Sequence, residues 1–253
     1  MGLDGDDTLW HNERLFSMTE ERFRSLVAPF AGGTDLSSSL LETERRNLRL
    51  FGYGVKSFTL SMIETAIEVT GGRVPVGVIG ELVEAGKQML DHPVELLDGV
   101  AETVASLAGK WTLILITKGD LFHQESKLAR SGLLPHLDRV EIVSEKEPST
   151  YRRILDAAAV DPSDFVMVGD SMRSDVEAVL DIGGRAVHIP GYREWAIETS
   201  ALGPPDDGRW WRLRTFAELP SLLARLRRRC SLRRGAPHVS STMCTPRPDR
   251  SGA

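Results

Sequence analysis

The sequence predicts an α/β fold, a parallel sheet covered by helices with a helical layer inserted early in the chain, on three observations. Trp111–Ile116 and Phe165–Val168 are short, continuous apolar runs, as expected for parallel strands buried on both faces. Helical stretches of about ten to fifteen residues separate the strand candidates, the spacing of right-handed βαβ units. Residues 13–97, by contrast, show helical periodicity and no convincing strand.

The elements follow in order. Met1, Gly2 and Leu3 are all that precedes Asp4 in a first strand. Segments 13–28, 38–50, 58–70 and 76–90 read as helices, punctuated by Ala31-Gly32-Gly33, Gly71-Gly72 and His92-Pro93. Gly99–Ala108 returns to the sheet domain as a helix, and Trp111–Ile116 is the next strand. A helix over 121–131, an extended run at Val140–Val143 and a helix over 149–159 lead to strand Phe165–Val168. Helix 174–182 and a short strand at Arg185–Ile189 complete the pattern, and Trp210-Trp211 packs a final strand or loop. The predicted domains are therefore 1–12 with 98–226 as the α/β core and 13–97 as the helical insertion. A basic tail over 227–253, rich in Arg, Ser, Pro and Gly, has a composition that predicts disorder.

Composition narrows the function classes. From Arg225 onward eight arginines face one acid, leaving 23 basic and 35 acidic side chains in 1–224, a net of −12. So acidic a body speaks against a nucleic-acid binder. No apolar run reaches the length of a membrane span, and the aspartate-rich N-terminal segment lacks the basic and then apolar pattern of a signal peptide. A cytoplasmic enzyme is the expectation. Cys230 and Cys244 both lie in the tail and form neither a disulfide framework nor a metal pattern.

Four segments carry candidate chemistry. Asp4-Gly5-Asp6-Asp7-Thr8-Leu9-Trp10 sets two carboxylates, Asp4 and Asp6, at a strand's carboxyl end, where open α/β sheets bind ligands. Alone, it reads more readily as a solvated acidic turn. Thr117 follows Leu113–Ile116, and a hydroxyl with free N–H groups there suits a phosphate oxygen; a turn or helix cap is the plain alternative. Lys146, after Val140–Val143, offers a point charge for phosphate, though an isolated lysine is usually on the surface. Gly169-Asp170-Ser171-Met172-Arg173-Ser174-Asp175 places two acids five apart at a strand-to-helix turn, able to hold a hard cation or simply to complement a helix dipole. All four follow strand candidates and share one edge of one sheet. Together they are far more specific than any one of them.

This order resembles the four motifs of the haloacid dehalogenase-like (HAD) superfamily, over 1–12 and 99–190. The matching stretches are DGDDTLWHNE, LITKGD, SEKEPSTY and VGDSMRSD. The resemblance implies a Rossmann-like core, with residues 13–97 as an inserted helical cap. It implies a magnesium-dependent phosphatase acting on a small phosphorylated metabolite, with Asp4 as the nucleophile that forms an aspartyl-phosphate and Asp6 as the acid/base. Thr117, Lys118 and Lys146 would bind the phosphate. Mg2+ would be held by Asp4, Asp6 through its backbone carbonyl, and Asp170, with Asp175 a ligand through water or an orienting partner. Trp10 reads as packing at the entry to the cap, His11 as a possible substrate contact, and Gly52–Lys56 as a turn able to present Tyr53 or Lys56. His123 and Lys127 read as surface residues of a helix. The motifs set neither the substrate nor the oligomeric state.

One departure stands out. A buried central strand normally runs about five or six residues, so either the true reading frame begins upstream or the first strand is shortened, with fewer ladder bonds beneath Asp4. Three rival readings follow. A haloacid dehalogenase does not keep an acid two positions after its nucleophile, so Asp6 argues against it. A phosphotransferase or mutase shares the motifs. A non-catalytic binding domain is favoured only by the short strand.

Overall fold

The computed structural model describes residues 1–193, 195–199, 203 and 207–234, with side chains described as far as 226. The chain divides into two compact units, Met1–Leu219 and Pro220–Ala253.

The first unit is built on a six-stranded parallel sheet of order β3-β2-β1-β4-β5-β6 among the described residues. Its strands are β1 (Gly2–Leu3), β2 (Ile114–Lys118), β3 (Arg139–Val143), β4 (Val166–Gly169), β5 (Arg185–His188) and β6 (Trp210–Arg212). The Trp210-Trp211 pair thus lies in the edge strand. Between β1 and β2 run α1 (Glu13–Val27), α2 (Leu36–Phe51), α3 (Val55–Val69), α4 (Val76–Asp91) and α5 (Val100–Leu107). The later crossovers carry α6 (Leu121–Ser131), α7 (Pro148–Ala157) and α8 (Ala178–Leu180).

β1 is only two residues long, yet it is central. Gly2 and Leu3 pair with Ile114 and Leu115 on one side and with Met167 and Val168 on the other. The ladder continues past its ends: Ile114 N–H donates to the Met1 carbonyl and Asp4 N–H donates to that of Val168, both at 2.9 Å. Asp4 is therefore fixed by backbone bonds despite the two-residue strand. Gly2 is required by packing, since a Cβ there would lie 2.7 Å from both Met167 Sδ and the Phe165 ring. Beneath the sheet Ile114, Ile116, Tyr151, Ile154, Phe165 and Met167 form one apolar cluster.

The inserted helices own a separate core. Phe23, Val27, Leu40, Phe58, Met62 and Leu82 are buried together, one stripe from each of α1 to α4 at helical spacing. Asp35 caps α2 by accepting from Ser38 N–H at 3.2 Å.

One element departs from the expected pattern. Residues 174–182 do not form a single α-helix; Met172–Glu177 is a π-helical turn that precedes α8. Polar bonds tie it down locally: Ser171 Oγ accepts from Ser174 N–H at 3.1 Å, and Tyr151 Oη donates to the Ser174 carbonyl at 3.0 Å. Such turns are rare and concentrate at functional sites.

Helix α9 (Leu219–Arg234), all but its first residue in the second unit, carries the chain into the stretch whose composition predicts disorder. Leucine, alanine and arginine are strong helix formers, which explains the extension to Arg234. The rest of that stretch, with Cys244, lies outside the described residues.

Candidate active site

The first loop is organised by its own acids. The Gly5 carbonyl accepts from Leu9 N–H at 2.8 Å, and Asp7 N–H donates to the Trp10 carbonyl at 2.8 Å, closing a tight turn. Asp7 adopts a left-handed φ of 59°, which aspartate tolerates better than most residues. Its carboxylate accepts from Asn12 N–H at 3.1 Å and Glu13 N–H at 2.8 Å, so it caps α1 and launches the inserted helices.

That turn leaves Asp4 at the sheet's carboxyl edge. Thr8 Oγ1 donates to Asp4 Oδ2 at 3.0 Å, and Lys146 Nζ donates to Asp4 Oδ1. Lys146 also bonds Asp175 Oδ1 at 2.8 Å. Asp175 is held in addition by Tyr151 Oη at 3.3 Å and Ser171 N–H at 3.1 Å. Gly169 makes room for it, because a Cβ there would sit 2.1 Å from Asp175 Oδ2. Asp4, Asp170 and Asp175 each offer an oxygen within 4.8 Å of the others. His188 Nε2–H donates to the Asp170 carbonyl at 2.8 Å and steadies that residue. Of the predicted metal ligands, then, Asp4, Asp170 and Asp175 come together. The Asp6 carboxylate is not part of that group, although it lines the same cavity.

The Asp6 carboxylate is gripped by three donors: Trp10 Nε1 at 2.5 Å, Gln124 Nε2 at 2.9 Å and Lys127 Nζ at 2.7 Å. Burial alone would raise its pKa, but Lys127, Gln124 and Trp10 outweigh that and lower it. His123 and Lys127 are thus not surface residues; both are buried. Asp120, which caps α6, with His123, Gln124 and Lys127 spaced by three and four, puts one polar face of α6 against the Asp6 loop. That spacing was the available signal. Trp10 is more than packing, since its indole N–H holds Asp6.

Thr117 is 1% exposed, and its Oγ1 has no hydrogen-bond partner among the described residues. A Cβ on Gly5 would lie 3.2 Å from that oxygen and 2.7 Å from Trp10, so the glycine keeps a cradle open beside it. An orphaned buried hydroxyl next to Asp4 is what a phosphate oxygen would satisfy. Lys118 does not join it. Its ammonium bonds Glu198 Oε1 at 2.6 Å and Ser174 Oγ at 2.9 Å, and lies 4.2 Å from the Tyr53 ring centroid. Glu198, missed by the sequence reading, is pulled down to about 2: Lys118, Ser174 and Ser171 overcome the effect of its burial.

These groups line a cavity of about 330 Å³ that also takes in Phe16, Glu44, Tyr53 and Phe58 from the inserted helices. Tyr53 Oη donates to Glu145 Oε2 at 2.7 Å, while Lys56 pairs with Asp120 at 2.9 Å. Of that turn, Tyr53 therefore faces the cavity. His11 does not line it.

Two buried carboxylates, Asp4 and Asp175, and the half-buried Asp170 against one buried ammonium leave the edge of the sheet electrostatically unbalanced. Burial, then the neighbouring acids, pushes Asp4 up to about 7, and burial with Asp4 and Asp175 raises Asp170 well above the carboxylate range. Asp7 rises to about 6, Glu44 to about 7 and Glu13 to about 8, each chiefly by burial. Groups raised on folding stabilise the fold at pH values below their unfolded pKa, and lose that contribution as pH climbs through the folded value. Of the groups lowered on folding, Asp6, Glu198 and His123 act in acid, and the Met1 ammonium, which burial lowers to about 6, opposes the trend between about pH 6 and 8 but is outnumbered by the raised acids. The melting temperature of cation-free protein is therefore expected to fall between about pH 5 and pH 8, at roughly 2–4 °C per kcal/mol. A melting temperature that stays flat or rises over that interval contradicts this charge balance.

Comparison with known proteins identifies the family. A family model described as haloacid dehalogenase-like hydrolase matches residues 3–183. A haloacid dehalogenase-like family hydrolase from Xanthomonas campestris is 42% identical, with a TM-score of 0.81 over 92% of this chain and 93% of that one. A 2-haloacid dehalogenase from Pseudomonas syringae pv. tomato, 23% identical with a TM-score of 0.57 over 89% of this chain and 97% of its own, shares the fold. The N-acylneuraminate-9-phosphatase of Mus musculus is 30% identical over 102 residues, which is 38% of this chain and 41% of that enzyme's length.

Proposed function

The chain belongs to the haloacid dehalogenase-like hydrolase family, and on that basis we propose that it is a magnesium-dependent phosphatase. It hydrolyses a small phosphate monoester through an aspartyl-phosphate on Asp4. The observation that carries this reading is one constellation: Asp4 bound by Lys146, within 4.8 Å of Asp170 and Asp175, beside the orphaned hydroxyl of Thr117. The partial match to a named phosphatase supports the same class of substrate.

An Asp4 oxygen attacks phosphorus as the bond to the leaving oxygen breaks, and Asp6 in its acid form supplies that oxygen's proton. Water then attacks the aspartyl-phosphate, Asp6 takes its proton, and phosphate leaves with Asp4 restored. The clamp of Lys127, Gln124 and Trp10 favours ionised Asp6, the state that this second half requires, so for the first half Asp6 must take up a proton against that clamp as substrate binds. Lys146 offsets charge at the nucleophile, and Thr117 orients the phosphoryl group. The donors fit magnesium, being all oxygen and too negative as a set for one lysine. Asp4, Asp170 and the Asp6 carbonyl would hold the ion, with Asp175 fixing Lys146 behind them. Bound magnesium would neutralise the phosphoryl oxygens against an anionic nucleophile. The inserted helices would act as the cap that keeps bulk water from the cavity.

Asp6 speaks against a dehalogenase, and the ladder on both sides of β1 speaks against a domain disabled by its short strand. The test is release of inorganic phosphate from p-nitrophenyl phosphate. Activity should need magnesium, vanish on chelation and return on adding the ion back. Turnover that survives complete chelation, or phosphoryl transfer without free phosphate, overturns the proposal.

A further inference from the structure

The cavity over Asp4 has one wall built for the phosphate and another of different character. That second wall comes from α1, α2, the turn at Tyr53 and the segment around Trp195, and it carries Glu13, Glu20 and Glu44. Each of the three feels another: Glu44 and Glu20 both act on Glu13, and Glu20 acts on Glu44. Neither Glu13 nor Glu44 forms an ion pair among the described residues. Glu44 accepts a hydrogen bond from Trp195, and Glu20 accepts one from Ser37 Oγ at 2.8 Å.

The cations that line the cavity are all engaged. Lys146 is taken by Asp4 and Asp175, Lys127 by Asp6 and Lys118 by Glu198. Arg193, 59% exposed, stands 3.8 Å from Glu20. Burial and Lys127 push His123 down to about 4, so it is neutral. A substrate carboxylate would thus meet three glutamates, with only the exposed and loosely paired Arg193 to receive it.

The rings complete the environment. Tyr53 and Trp195 meet edge to face with centroids 6.0 Å apart, and Phe16 and Phe58 lie 5.0 Å apart on the cavity wall. Aromatic faces beside carboxylates are the surroundings that bind ammonium groups. That this space receives a ligand is indicated independently by Thr117 Oγ1, buried, unpartnered and lining the same cavity.

We propose that the leaving group carries an ammonium: the substrate is a small phosphate monoester of an amino alcohol, its cation held by Glu13, Glu20 and Glu44 beside Tyr53 and Trp195. The upward pKa shifts of Glu13 and Glu44 agree with this: burial is their main cause and the neighbouring acids add to it, with Arg193 offsetting only part of the shift of Glu13. The inference rests on the phosphatase reading above and refines it to one substrate class. It sets this chain apart from a phosphatase of carboxylated sugars, whose site must welcome a negative charge.

The experiment compares kcat/KM for three small esters with magnesium present: phosphoethanolamine, glycerol phosphate and phosphoglycolate, with cationic, neutral and anionic leaving groups. Phosphoethanolamine should exceed phosphoglycolate by at least about tenfold, with glycerol phosphate between them, as like-charge juxtaposition predicts. In Glu13→Gln/Glu44→Gln the ratio of the first to the last should shrink severalfold. Equal or better use of phosphoglycolate by the wild-type protein overturns the inference even if the double variant fails to fold, and so does an unchanged ratio in a folded variant. Hydrolysis of p-nitrophenyl phosphate with phosphoglycolate preferred sinks only this refinement. Hydrolysis of none of the four esters sinks the phosphatase reading with it.

Discussion

Asp4→Asn is expected to lower kcat for a phosphate monoester by at least about 10³-fold, roughly 4 kcal/mol of transition-state stabilisation, without lowering the melting temperature. Asparagine keeps the size of the side chain and can still accept from Thr8, but it cannot attack phosphorus. The stability half of the result follows from the burial that pushes Asp4 up to about 7: a carboxylate so disfavoured as an anion costs the fold free energy at neutral pH, and the neutral amide removes that cost. Loss of activity by mere unfolding would instead lower the melting temperature. Asp170→Asn should show the same pairing of lost turnover with retained or raised stability, since its pKa is also raised. A folded Asp4→Asn protein with more than a tenth of wild-type turnover would mean that some other group attacks. Both variants can be followed by initial rates and calorimetry on the same samples.

Lys146→Met should have the opposite signature, losing activity and stability together. Lys146 is 4% exposed and sits between Asp4 and Asp175. Burial lowers a lysine's pKa, but here Asp175 and Asp4 outweigh it and hold the ammonium firmly charged. Methionine matches its length and leaves two buried carboxylates without their cation. Removing one partner of a buried ion pair costs about 3–5 kcal/mol, and the loss of a fixed charge at the reacting centre costs about 10²–10³ in rate. The stability deficit should narrow as pH falls, because protonating the acids relieves them. Lys146→Arg, which keeps the charge, should unfold later than the methionine variant. A methionine variant as stable as the parent at neutral pH would show that the carboxylates do not depend on this lysine.

The framework was legible because its signals are local. Apolar runs marked β2 and β4, and an acid, hydroxyl or lysine after successive strands marked one edge of the sheet. The α1–α4 insertion was legible from the change of period. What escaped depends on distant partners. Lys118 follows Thr117 in sequence and would be expected to share its ligand, yet Glu198, eighty residues away, takes its ammonium. Lys127 was read as a surface residue because one lysine on a helix usually is, and only the fold brings it to Asp6. The π-turn at Met172–Glu177 escaped because helical periodicity does not separate π from α over six residues. The glutamates of the second wall look like ordinary solvated faces of α1 and α2 until the cavity is seen.

The strand that bears the nucleophile also sets the order of assembly. Gly2 and Leu3 find their neighbours at Ile114–Leu115 and Met167–Val168, contacts of very long sequence separation with a high loop-closure cost. At a ribosomal rate of about 5–20 residues per second, this segment waits roughly 8–30 s before both flanks exist. The helical insertion can condense on its own core in that interval. The hinge of chemistry is thus made well before its neighbours and is among the last pieces to lock, so slots for its insertion must stay open while the rest of the sheet forms around it.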